Sequence, residues 1–535
     1  MGDSLVFIKK VHIRNYRCLK DCTIELNPEL NIIVGDNACG KSTLLEAIHL
    51  ALSGYLNGRP IQAELHPHLF NLDAVTDYVA ALKKGGGAQP PSVFIELYFA
   101  DHSDLTHLKG TNNIAKDNCP GVTMGFDFDV AYGPEYKDYI ADPDAIRSVP
   151  VEYYAIRWRS FADNDVTSRS IPIRPTLIDA STIRNNAAAS RYVVDIMKDS
   201  LDRKQQVDLA LAYRLMKDSF LDDGRVATIN KALAAKKGTI SDRTLTISLD
   251  SSSRSSWETG VMPQLDDIPM SLVGKGEQNA VKIKLALESS AASHLILIEE
   301  PENHLSHSNL NALIDHISFN RKERQLIATT HSSFVLNKLG VESVHLFDSH
   351  ESMTLKDLTG PTHDYFMKLP GHDTLRLILA KRAILVEGPS DELIVQRAFK
   401  DKYGAMPLSK GVDVITVSSL AFKRFLEIAV LLRRRVDVVT DNDGNVPALE
   451  AKYADYLALE LIKIRYDKDE DARTLEPQLL KKNGLALVNE ILGKAFPSDD
   501  KLLHYMDTNK TEVALRFFET DLVWTAPDYI EAAIA

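Results

Sequence analysis

The sequence of 535 residues contains only four cysteines, Cys18, Cys22, Cys39 and Cys119, and they lack the even, dense spacing of a disulfide framework. We therefore expect reduced thiols. Cys18 and Cys22 form one closely spaced pair, but no second pair of cysteines or histidines follows at the spacing of a zinc site. The pair is interpreted as two small, buried apolar side chains rather than as metal ligands.

Long apolar runs are also absent from the sequence. No stretch reaches the roughly 18 consecutive apolar residues that a membrane-spanning helix needs. The first residues, MGDSLVFIKK, lack the basic-then-apolar order of a secretory signal. We therefore expect a cytoplasmic protein that has no membrane partner.

The chain also lacks an excess of positive charge. The chain has 62 Lys and Arg against 74 Asp and Glu, a formal net charge of −12. This balance excludes a surface that is basic throughout, so any contact with DNA must be local. Two short basic clusters, at Arg321, Lys322 and Arg324 and at Arg433–Arg435, are interpreted as solvated faces, with a local DNA contact as the alternative.

A phosphate-binding loop is predicted near the start of the chain. The apolar run NIIVG leads into GDNACGKST and then into LLEAIHLAL, which is the order strand, glycine-bounded loop, helix. Backbone N–H groups of such a loop face phosphate oxygens, its lysine contacts the terminal phosphates and its serine binds Mg²⁺. We expect ATP and one Mg²⁺ here, with Gly35, Asn37, Gly40, Lys41, Ser42 and Thr43 as ligands, Ser42 being the metal ligand.

The second part of a nucleotide site is predicted from HLILIEEPENHL, an apolar strand that ends in Glu299 and Glu300. Glu299 stands where ABC ATPases usually carry Asp and would hold the Mg²⁺ shell, while Glu300 would act as general base. The following strand, QLIATTHSSFV, delivers His331 to the place of a γ-phosphate-sensing histidine. A pair of acids at an ordinary strand end is the alternative.

The segment SLVGKGEQNAVKIKLAL opens with a Ser/Gly-rich turn and continues with apolar residues at helical spacing. It resembles the ABC signature, although it lacks a perfect LSGGQ. That family's signature contacts ATP held by the opposing subunit, so the resemblance implies head-to-tail pairing, with Ser271 and Gly274 facing a nucleotide. A helix N-cap that serves only the turn is the alternative.

The spacing of these motifs predicts the domain organisation. Residues 60–270 contain no 40-residue charged heptad array, which argues against the long coiled-coil arm of SMC-type ATPases. Residues 176–238 show apolar side chains at helical spacing and predict a helical insert. The expected domains are an ATPase head at 1–175 and 241–348, a helical dimerisation insert at 176–240, a linker at 349–379 and an α/β domain at 380–535.

Carboxylates at two strand ends mark the last of these domains. The strand in RAILVEGPSDELIVQRAF ends at Glu387, and Asp391 follows near the start of a helix. The strand in VDVVTDNDGN ends in Asp441 and Asp443, which an alternating strand would direct to the same side. Carboxylates packed together raise their own pKa values or recruit a cation, so a Mg²⁺ site is predicted.

This arrangement resembles the Toprim domain, and the whole chain resembles the overcoming-lysogenisation-defect (OLD) family, in which an ABC-type ATPase head precedes a C-terminal Toprim nuclease domain. Glu476 in ARTLEPQLL and Lys510 in DTNKTEVALRF fit two later motifs of that family. The resemblance implies two Mg²⁺ or Mn²⁺ ions held by Glu387, Asp391, Asp441, Asp443 and Glu476, with Lys510 stabilising the scissile phosphate.

The resemblance implies an ATP-regulated DNA endonuclease that hydrolyses phosphodiesters, with Glu300, Lys510, Glu387 and Asp441 as catalytic residues. It also implies a homo-oligomer, dimer or tetramer, joined through the heads and the insert. OLD-family proteins are often phage-defence effectors, some of them Gabija-like or retron-associated, so a helicase or a retron complex is an implied partner. The alternatives are a nucleotide-sensing switch with a conditional nuclease, and a DNA-repair ATPase whose carboxylates are structural.

Overall fold

The fold is taken from a computed structural model. No helix of the part it describes is long and apolar enough to cross a membrane. The described residues are 6–85, 88–179, 193–194, 197–198, 201–237, 239, 242–250, 256–288, 294–320, 324–347, 352–355, 358–368, 373–417 and 421–535. The basic residues Arg321 and Lys322 lie outside these ranges, as do residues 180–192, 195–196, 199–200, 238 and 240 of the predicted insert.

The strands, in chain order, are β1 (Ile8–Tyr16), β2 (Leu19–Glu25), β3 (Leu30–Val34), β4 (Tyr55–Leu56), β5 (Arg59–Pro60), β6 (Val93–Phe99), β7 (Lys109–Gly110), β8 (Cys119–Phe128), β9 (Tyr154–Ser160), β10 (Pro175–Asp179), β11 (Gln264–Leu265), β12 (Ile268–Pro269), β13 (Leu295–Glu299), β14 (Gln325–Thr329), β15 (Val344–Phe347), β16 (Ser352–Thr354), β17 (Arg382–Val386), β18 (Val412–Thr416), β19 (Arg435–Val439) and β20 (Ile462–Arg465).

The α-helices are α1 (Lys41–Ser53), α2 (Ile61–Glu64), α3 (Leu72–Lys83), α4 (Gly133–Tyr139), α5 (Arg203–Asp222), α6 (Gly224–Ala234), α7 (Trp257–Gly260), α8 (Lys275–Glu288), α9 (His307–Asn320), α10 (Ser333–Leu339), α11 (Gly360–Lys368), α12 (Thr374–Leu379), α13 (Pro389–Tyr403), α14 (Phe422–Leu431), α15 (Val446–Lys452), α16 (Ala454–Leu457), α17 (Leu475–Leu492), α18 (Asp499–Thr508), α19 (Lys510–Glu519) and α20 (Asp528–Ala533).

The chain forms two compact units. The first contains residues 1–31 and 42–329, and the second contains residues 32–41 and 330–535. This division follows internal contacts and does not test the domain boundaries expected from the motifs, which stay predictions.

An antiparallel sheet in the order β2–β1–β6–β8–β7, with β9 on β8, forms one layer of the first unit. Buried and exposed side chains alternate along its strands because one face of the sheet packs on the core. On β1, for example, Ile8, Val11 and Ile13 are buried, whereas Lys9 and Arg14 are not. Cys22 on β2 is buried as expected, but the expectation is wrong for Cys18, which is exposed.

A parallel layer in the order β10–β13–β14 forms the second layer of this unit. The prediction of helix is wrong for residues 176–179, because the apolar run of Leu177 and Ile178 pairs with β13 as a strand. The predicted helices do form further along, as α5 and α6. All four apolar side chains of β13 are buried, as in parallel strands whose two faces are both covered.

In the second unit, β3 pairs in parallel with β15, and β15 pairs antiparallel with β16. The interval 349–379, which is predicted to be a linker, contains β16, α11 and α12 among its described residues. Leu355, Phe366 and Leu377 are buried within it. A solvated linker would leave such side chains exposed, so burial of apolar surface accounts for the packing.

The C-terminal domain of this unit is a parallel sheet in the order β18–β17–β19–β20. Helices α13 and α17–α20 supply the buried core over one face, with Ile394, Leu479 and Phe517 among its members. Because the chain runs from β17 to β18 on one side and then to β19 on the other, the strand order reverses between β17 and β19. Open α/β sheets bind ligands beyond the carboxyl ends of the strands at such a switch point.

Candidate nucleotide and metal sites

The predicted phosphate-binding loop connects β3 to α1. Gly35 lies so close to the Phe347 carbonyl oxygen that a Cβ atom at this position would be 2.3 Å from it. Gly40 has a left-handed φ of 104°. Only glycine fits both requirements, which explains why the loop begins and ends with this residue. Asn37, between them, is exposed.

The lysine of the loop is buried, and its ammonium group lies against the loop backbone. Lys41 Nζ donates hydrogen bonds of 3.0 Å to the carbonyl oxygens of Gly35 and Asp36. The loop therefore concentrates one positive charge among backbone groups, which suits it to bind a polyphosphate.

In the first unit, the hydroxyl of Ser42 donates to Glu299 Oε1 at the end of β13. The two residues predicted to share the nucleotide-bound Mg²⁺ are thus direct neighbours. Both offer the hard oxygen ligands that Mg²⁺ prefers, so this pair fits the ion chemically. Thr43 follows on α1, where its Oγ1 lies 3.4 Å from Cys18 Sγ.

Glu300 has a left-handed backbone, with φ 45°. Its N–H donates to the Thr329 carbonyl oxygen over 3.1 Å, and its Oε2 accepts a 2.7 Å hydrogen bond from Asn303 Nδ2. The backbone of β14 and the side chain of Asn303 therefore fix the direction of this carboxylate. A fixed carboxylate beside the Ser42–Glu299 pair is suited to orient a water molecule.

The signature-like segment forms a short 3₁₀ turn at Met270–Leu272 and then α8. Ser271 is half-buried and Gly274 is exposed, as a contact with a second subunit would require. Gly276 lies against the His304 carbonyl oxygen, 2.2 Å from the position of an added Cβ. In the second unit, His331 is exposed just after β14.

The predicted metal site lies at the switch point of the C-terminal sheet. Glu387 follows β17, and its Oε1 accepts hydrogen bonds from Thr440 Oγ1 and, over 3.1 Å, from the Asp441 N–H beyond β19. Asp391, in the first turn of α13, accepts a 3.1 Å hydrogen bond from the Gly388 N–H. The sheet therefore brings Glu387 and Asp441 together from adjacent strands.

These carboxylates interact electrostatically. Burial, with Glu387 and Glu476 adding to it, raises the pKa of Asp391 to about 7. Burial, with Asp391, Glu387 and Glu476 adding to it, raises the pKa of Asp441 to about 8. Asp391 and Asp441 thus hold their protons beside two further carboxylates, and a divalent cation would stabilise their charged forms.

Glu476 and Lys510 join the same cluster. Glu476 is buried at the start of α17, and its Oε2 accepts a 2.8 Å hydrogen bond from Thr474 Oγ1. Lys510 Nζ lies 3.4 Å from Glu476 Oε2 and 3.3 Å from Asp507 Oδ1. Burial lowers the pKa of Lys510, but Glu476 and Asp507 raise it further, so the net change is upward.

Asp443 does not lie on the same side as Asp441 by strand alternation, as the sequence predicted. Strand β19 ends at Val439, so strand alternation does not govern the side chains that follow, and the argument for a shared side is wrong. Asn442 turns inward and donates hydrogen bonds of 2.9 and 2.8 Å to the carbonyls of Asp467 and Asp469, while Asp443 is exposed with φ 50°. Asp443 therefore stands at the rim of the cluster.

The residues fit a divalent metal in their chemistry, since every donor is a carboxylate oxygen. Among the residues that the structure describes, however, no three Asp, Glu, His or Cys side chains are gathered closely enough to hold an ion as they stand. The carboxylates nevertheless lie close enough for Asp391, Glu387 and Glu476 to raise the pKa of Asp441. Binding then requires that side chains turn toward one another.

Sequence reasoning missed the residues that orient these acids. Asn303 holds Glu300, Thr440 holds Glu387 and Thr474 holds Glu476. Thr474 and Asn303 lie within three residues of their partners, so a local pattern was available for them. The pairing of Thr440 with Glu387 depends on the order of the strands and has no local signal.

Family models match three parts of the chain. An AAA domain model matches residues 10–120, and a second AAA model, described as a putative AbiEii toxin of a type IV toxin–antitoxin system, matches residues 250–337. A model described as the TOPRIM domain of overcoming-lysogenization-defect-like proteins matches residues 378–443.

Two curated relatives are the DNA replication and repair proteins RecF of Clostridium botulinum and of Lactococcus lactis subsp. cremoris. Each is 45% identical, over 49 and 47 residues respectively. These matches cover 9% of this chain and only 14% and 13% of the relatives' length.

Among solved structures, an SMC head bound to the C-terminal winged-helix domain of ScpA is similar at 13% identity, with a TM-score of 0.34 and coverage of 66% of this chain and 100% of that chain. The recombination mediator protein RecF-ATPrS is similar at 11% identity and a TM-score of 0.32, over 66% of this chain and 99% of that chain.

The family models agree with the motifs in order and position: AAA-type ATPase segments surround the predicted insert, and the Toprim model begins just before β17. The chain therefore joins an AAA-type ATPase to a C-terminal Toprim domain of the overcoming-lysogenization-defect type, which is the arrangement of an OLD-family ATPase–Toprim fusion.

Proposed function

We propose that this protein is an ATP-binding and ATP-hydrolysing, divalent-metal-dependent DNA endonuclease that hydrolyses phosphodiesters. The observation that carries the proposal is the convergence of Glu387 and Asp441 from adjacent strand ends, with Asp391 and Glu476 close enough to raise the pKa of Asp441. Such a cluster lies where open α/β sheets bind their ligands.

Each side chain of the cluster has a role in this proposal. Mg²⁺ or Mn²⁺, two ions per Toprim site, would activate water and neutralise charge on the phosphodiester. The ligands would be Glu387, Asp391, Asp441, Asp443 and Glu476. Lys510 would leave Glu476 for the scissile phosphate, because its ammonium group is half-exposed and held only by ion pairs.

The ATPase half would regulate cleavage. Lys41 and the loop around it would bind the phosphates of ATP, Ser42 and Glu299 would hold one Mg²⁺, and Glu300 would activate water from the position that Asn303 fixes. Gly274 and Ser271 would meet ATP held by a second copy, and His331 would contact the γ-phosphate.

Head-to-tail pairing of this kind requires a homo-oligomer, which we propose to be a dimer or a tetramer that also uses the insert. Helix α5 has no buried residue along its 20 residues, although it carries Val207, Leu211 and Leu215 at 59%, 54% and 60% exposure. Because helices in proteins gain most of their stability from packing of an apolar face, we expect a second copy to cover this face.

The cellular role that we propose is anti-phage defence in the cytoplasm, with a helicase or a retron complex as partner. The support for this step is the OLD-type Toprim domain. Infection assays with and without the metal-site variant Asp441→Asn would test it, and equal phage titres in both strains would contradict it.

The nuclease itself is tested by incubating supercoiled and linear DNA with the intact chain, with and without Mg²⁺, Mn²⁺ and ATP. Nicking or cleavage that requires the metal is expected, and it should disappear in Asp441→Asn and Asp443→Ala. The matched Lys41→Ala chain separates dependence on ATP from dependence on the metal. Activity that survives in Asp441→Asn would rule out the proposed site.

A second candidate is a nucleotide-sensing switch whose nuclease is conditional. Two observations favour it. Lys510 is held in an ion pair with Glu476, and the described carboxylates of the cluster are not gathered closely enough to hold an ion. Glu300→Ala, which should bind ATP without hydrolysing it, separates the two. Sustained cleavage with ATP present favours the endonuclease, and blocked cleavage favours the switch.

A further inference from the structure

Arg473 lies across the loop that follows the second metal-site strand. Gly444, three residues after Asp441, has φ 74°, and an added Cβ there would be 3.0 Å from Arg473 Nε and 3.2 Å from its Cδ. The side chain of Arg473 therefore runs along Gly444, at the rim that also carries the exposed Asp443.

The position of Arg473 is fixed from both sides. Its neighbour Thr474 donates to Glu476, the buried acid of the cluster. The loop that Arg473 crosses is held by Asn442, which donates to the Asp467 and Asp469 carbonyls. The backbone on either side of this contact is thus held in place, and the side chain of Arg473 lies along Gly444 while the residue is exposed.

Arg473 has no acid partner of its own. Within the described ranges, no carboxylate lies at ion-pair distance from its guanidinium group, although Asp443, Asp469 and Glu470 are near in sequence or in the fold. Lys510, the other cation at the cluster, is engaged by Glu476 and Asp507. An exposed arginine that forms no ion pair with these carboxylates is available to bind an external anion.

We propose that Arg473 binds a backbone phosphate of the DNA strand adjacent to the scissile bond, through the two-pronged hydrogen bonding that a guanidinium offers to phosphate. The proposal rests on the nuclease function above and adds a substrate-binding residue to it. An acidic site on a chain of net charge −12 repels DNA, so a local cation at its rim is needed to hold the strand.

Gly444 allows Arg473 to occupy this position, because a side chain at residue 444 would displace the arginine. A guanidinium that reaches past a glycine approaches the strand end more closely than one that must pass a Cβ atom. Arg473 acts on substrate rather than on the metal, so its loss should leave the affinity for Mn²⁺ unchanged.

The test uses the full-length protein and a short fluorescent DNA duplex. Arg473→Ala, Arg473→Lys and the matched control Arg435→Ala are compared by anisotropy in Ca²⁺ across a salt series, with Mn²⁺ binding followed by electron paramagnetic resonance. Arg435 is an exposed arginine at the amino end of β19, the opposite end of the same strand. Melting temperatures confirm that each variant folds.

For Arg473→Ala we expect a roughly ten-fold weaker affinity for DNA and a slope of log affinity against log salt that is smaller by about 1. KM for nicking should rise with little change in kcat, Arg473→Lys should lie between, and Arg435→Ala should match the intact chain. Unchanged DNA affinity, or an equal loss in Arg435→Ala, would overturn the role of Arg473. An intact chain that neither binds nor nicks DNA would instead overturn the nuclease proposal.

Discussion

The side-chain amide of Asn303 donates a 2.7 Å hydrogen bond to Glu300 Oε2, three residues earlier in the chain. The Asn303 N–H also bonds to the Glu300 carbonyl oxygen, so the segment closes on itself as a turn. The carboxylate that is proposed to activate water is therefore oriented by a neighbour in the same turn.

Replacing Asn303 with alanine should lower ATP hydrolysis about ten-fold while ATP binding stays intact. The amide hydrogen bond to a charged group is worth about 1.5 to 3 kcal/mol, and its loss frees the carboxylate to rotate. Steady-state kcat measures the effect, and nucleotide titration measures binding. Asn309→Ala, an exposed change on the next helix, serves as control. An unchanged kcat would show that Asn303 does not position Glu300.

The two glycines of the signature-like segment should respond differently to alanine. In Gly276→Ala the new Cβ meets the His304 carbonyl oxygen, so we expect destabilisation by about 1–3 kcal/mol, seen as a lower melting temperature. In Gly274→Ala the Cβ enters open space, and the stability should not change. If Gly274 faces a nucleotide of the second copy, this variant should still lose ATP hydrolysis. Normal hydrolysis in Gly274→Ala would remove this residue from the composite site.

The metal-free protein should become less stable as the pH rises from about 4 to about 8. Burial raises the pKa of Asp391 to about 7 and that of Asp441 to about 8, above the ordinary 3.8, so over this range the folded chain holds protons that the unfolded chain releases. Thermal unfolding across this pH range measures the loss. Asp441→Asn should flatten the dependence, and an identical pH profile in that variant would contradict the assignment.

Metal affinity at the same site should increase from about pH 6 to about pH 8, because both carboxyls must lose their protons to bind the ion. Mn²⁺ titrations by electron paramagnetic resonance give the affinity, and calorimetry in buffers of different ionisation enthalpy counts the protons released. Binding that releases no proton at pH 6 would place the ion elsewhere.

The hydroxyl of Thr440 donates to Oε1 of Glu387 and so fixes one oxygen of this carboxylate. Thr440→Val keeps the volume of this buried side chain but removes the hydrogen bond. We expect Mn²⁺ to bind about ten-fold or more weakly, as found when partners of metal ligands are removed. Thr440→Ser should restore the affinity. If valine and serine variants bind Mn²⁺ equally well, the hydroxyl has no orienting role.

Charged substitutions on α5 should separate the proposed oligomer without unfolding the chain. Leu211 and Leu215 are 54% and 60% exposed, and neither belongs to the buried core, so Leu211→Glu with Leu215→Glu should leave the subunit folded. Light scattering after gel filtration should show a smaller particle than the unaltered chain. Leu72→Glu, at a leucine of 75% exposure on α3, is the matched control. An unchanged particle mass would exclude α5 from the interface.

The local features of the molecule were predictable from the sequence. β3, the phosphate-binding loop and α1 follow from an apolar run, two glycines and a helical pattern, each within about 20 residues. β13, β14, β17 and β19 are short apolar runs, and the acids that end them are visible at once. The sequence also shows carboxylates at strand ends, which indicate a cation.

Other features depended on tertiary context and were missed or misjudged. Residues 176–179 have the apolar spacing of a helix, yet they form a strand. They pair with the edge of β13, which lies next to them only in the folded chain. Residues 345–366 appear polar and turn-rich, yet Leu355 and Phe366 are buried, and Phe366 packs against Phe425, which is distant in sequence. Asp443 was expected beside Asp441, but the strand ends two residues before Asp441.

By itself, then, the sequence determined which residues carry charge, where strands end and which glycines are needed, since these depend on neighbours within a few positions. Only the tertiary structure decided that β17 and β19 are adjacent, so that Glu387 meets Thr440 and Asp441, and that Arg473 crosses Gly444. The reason is physical: strand order, and with it which side chains meet, is fixed by burial of apolar surface over the whole domain, which no local pattern encodes.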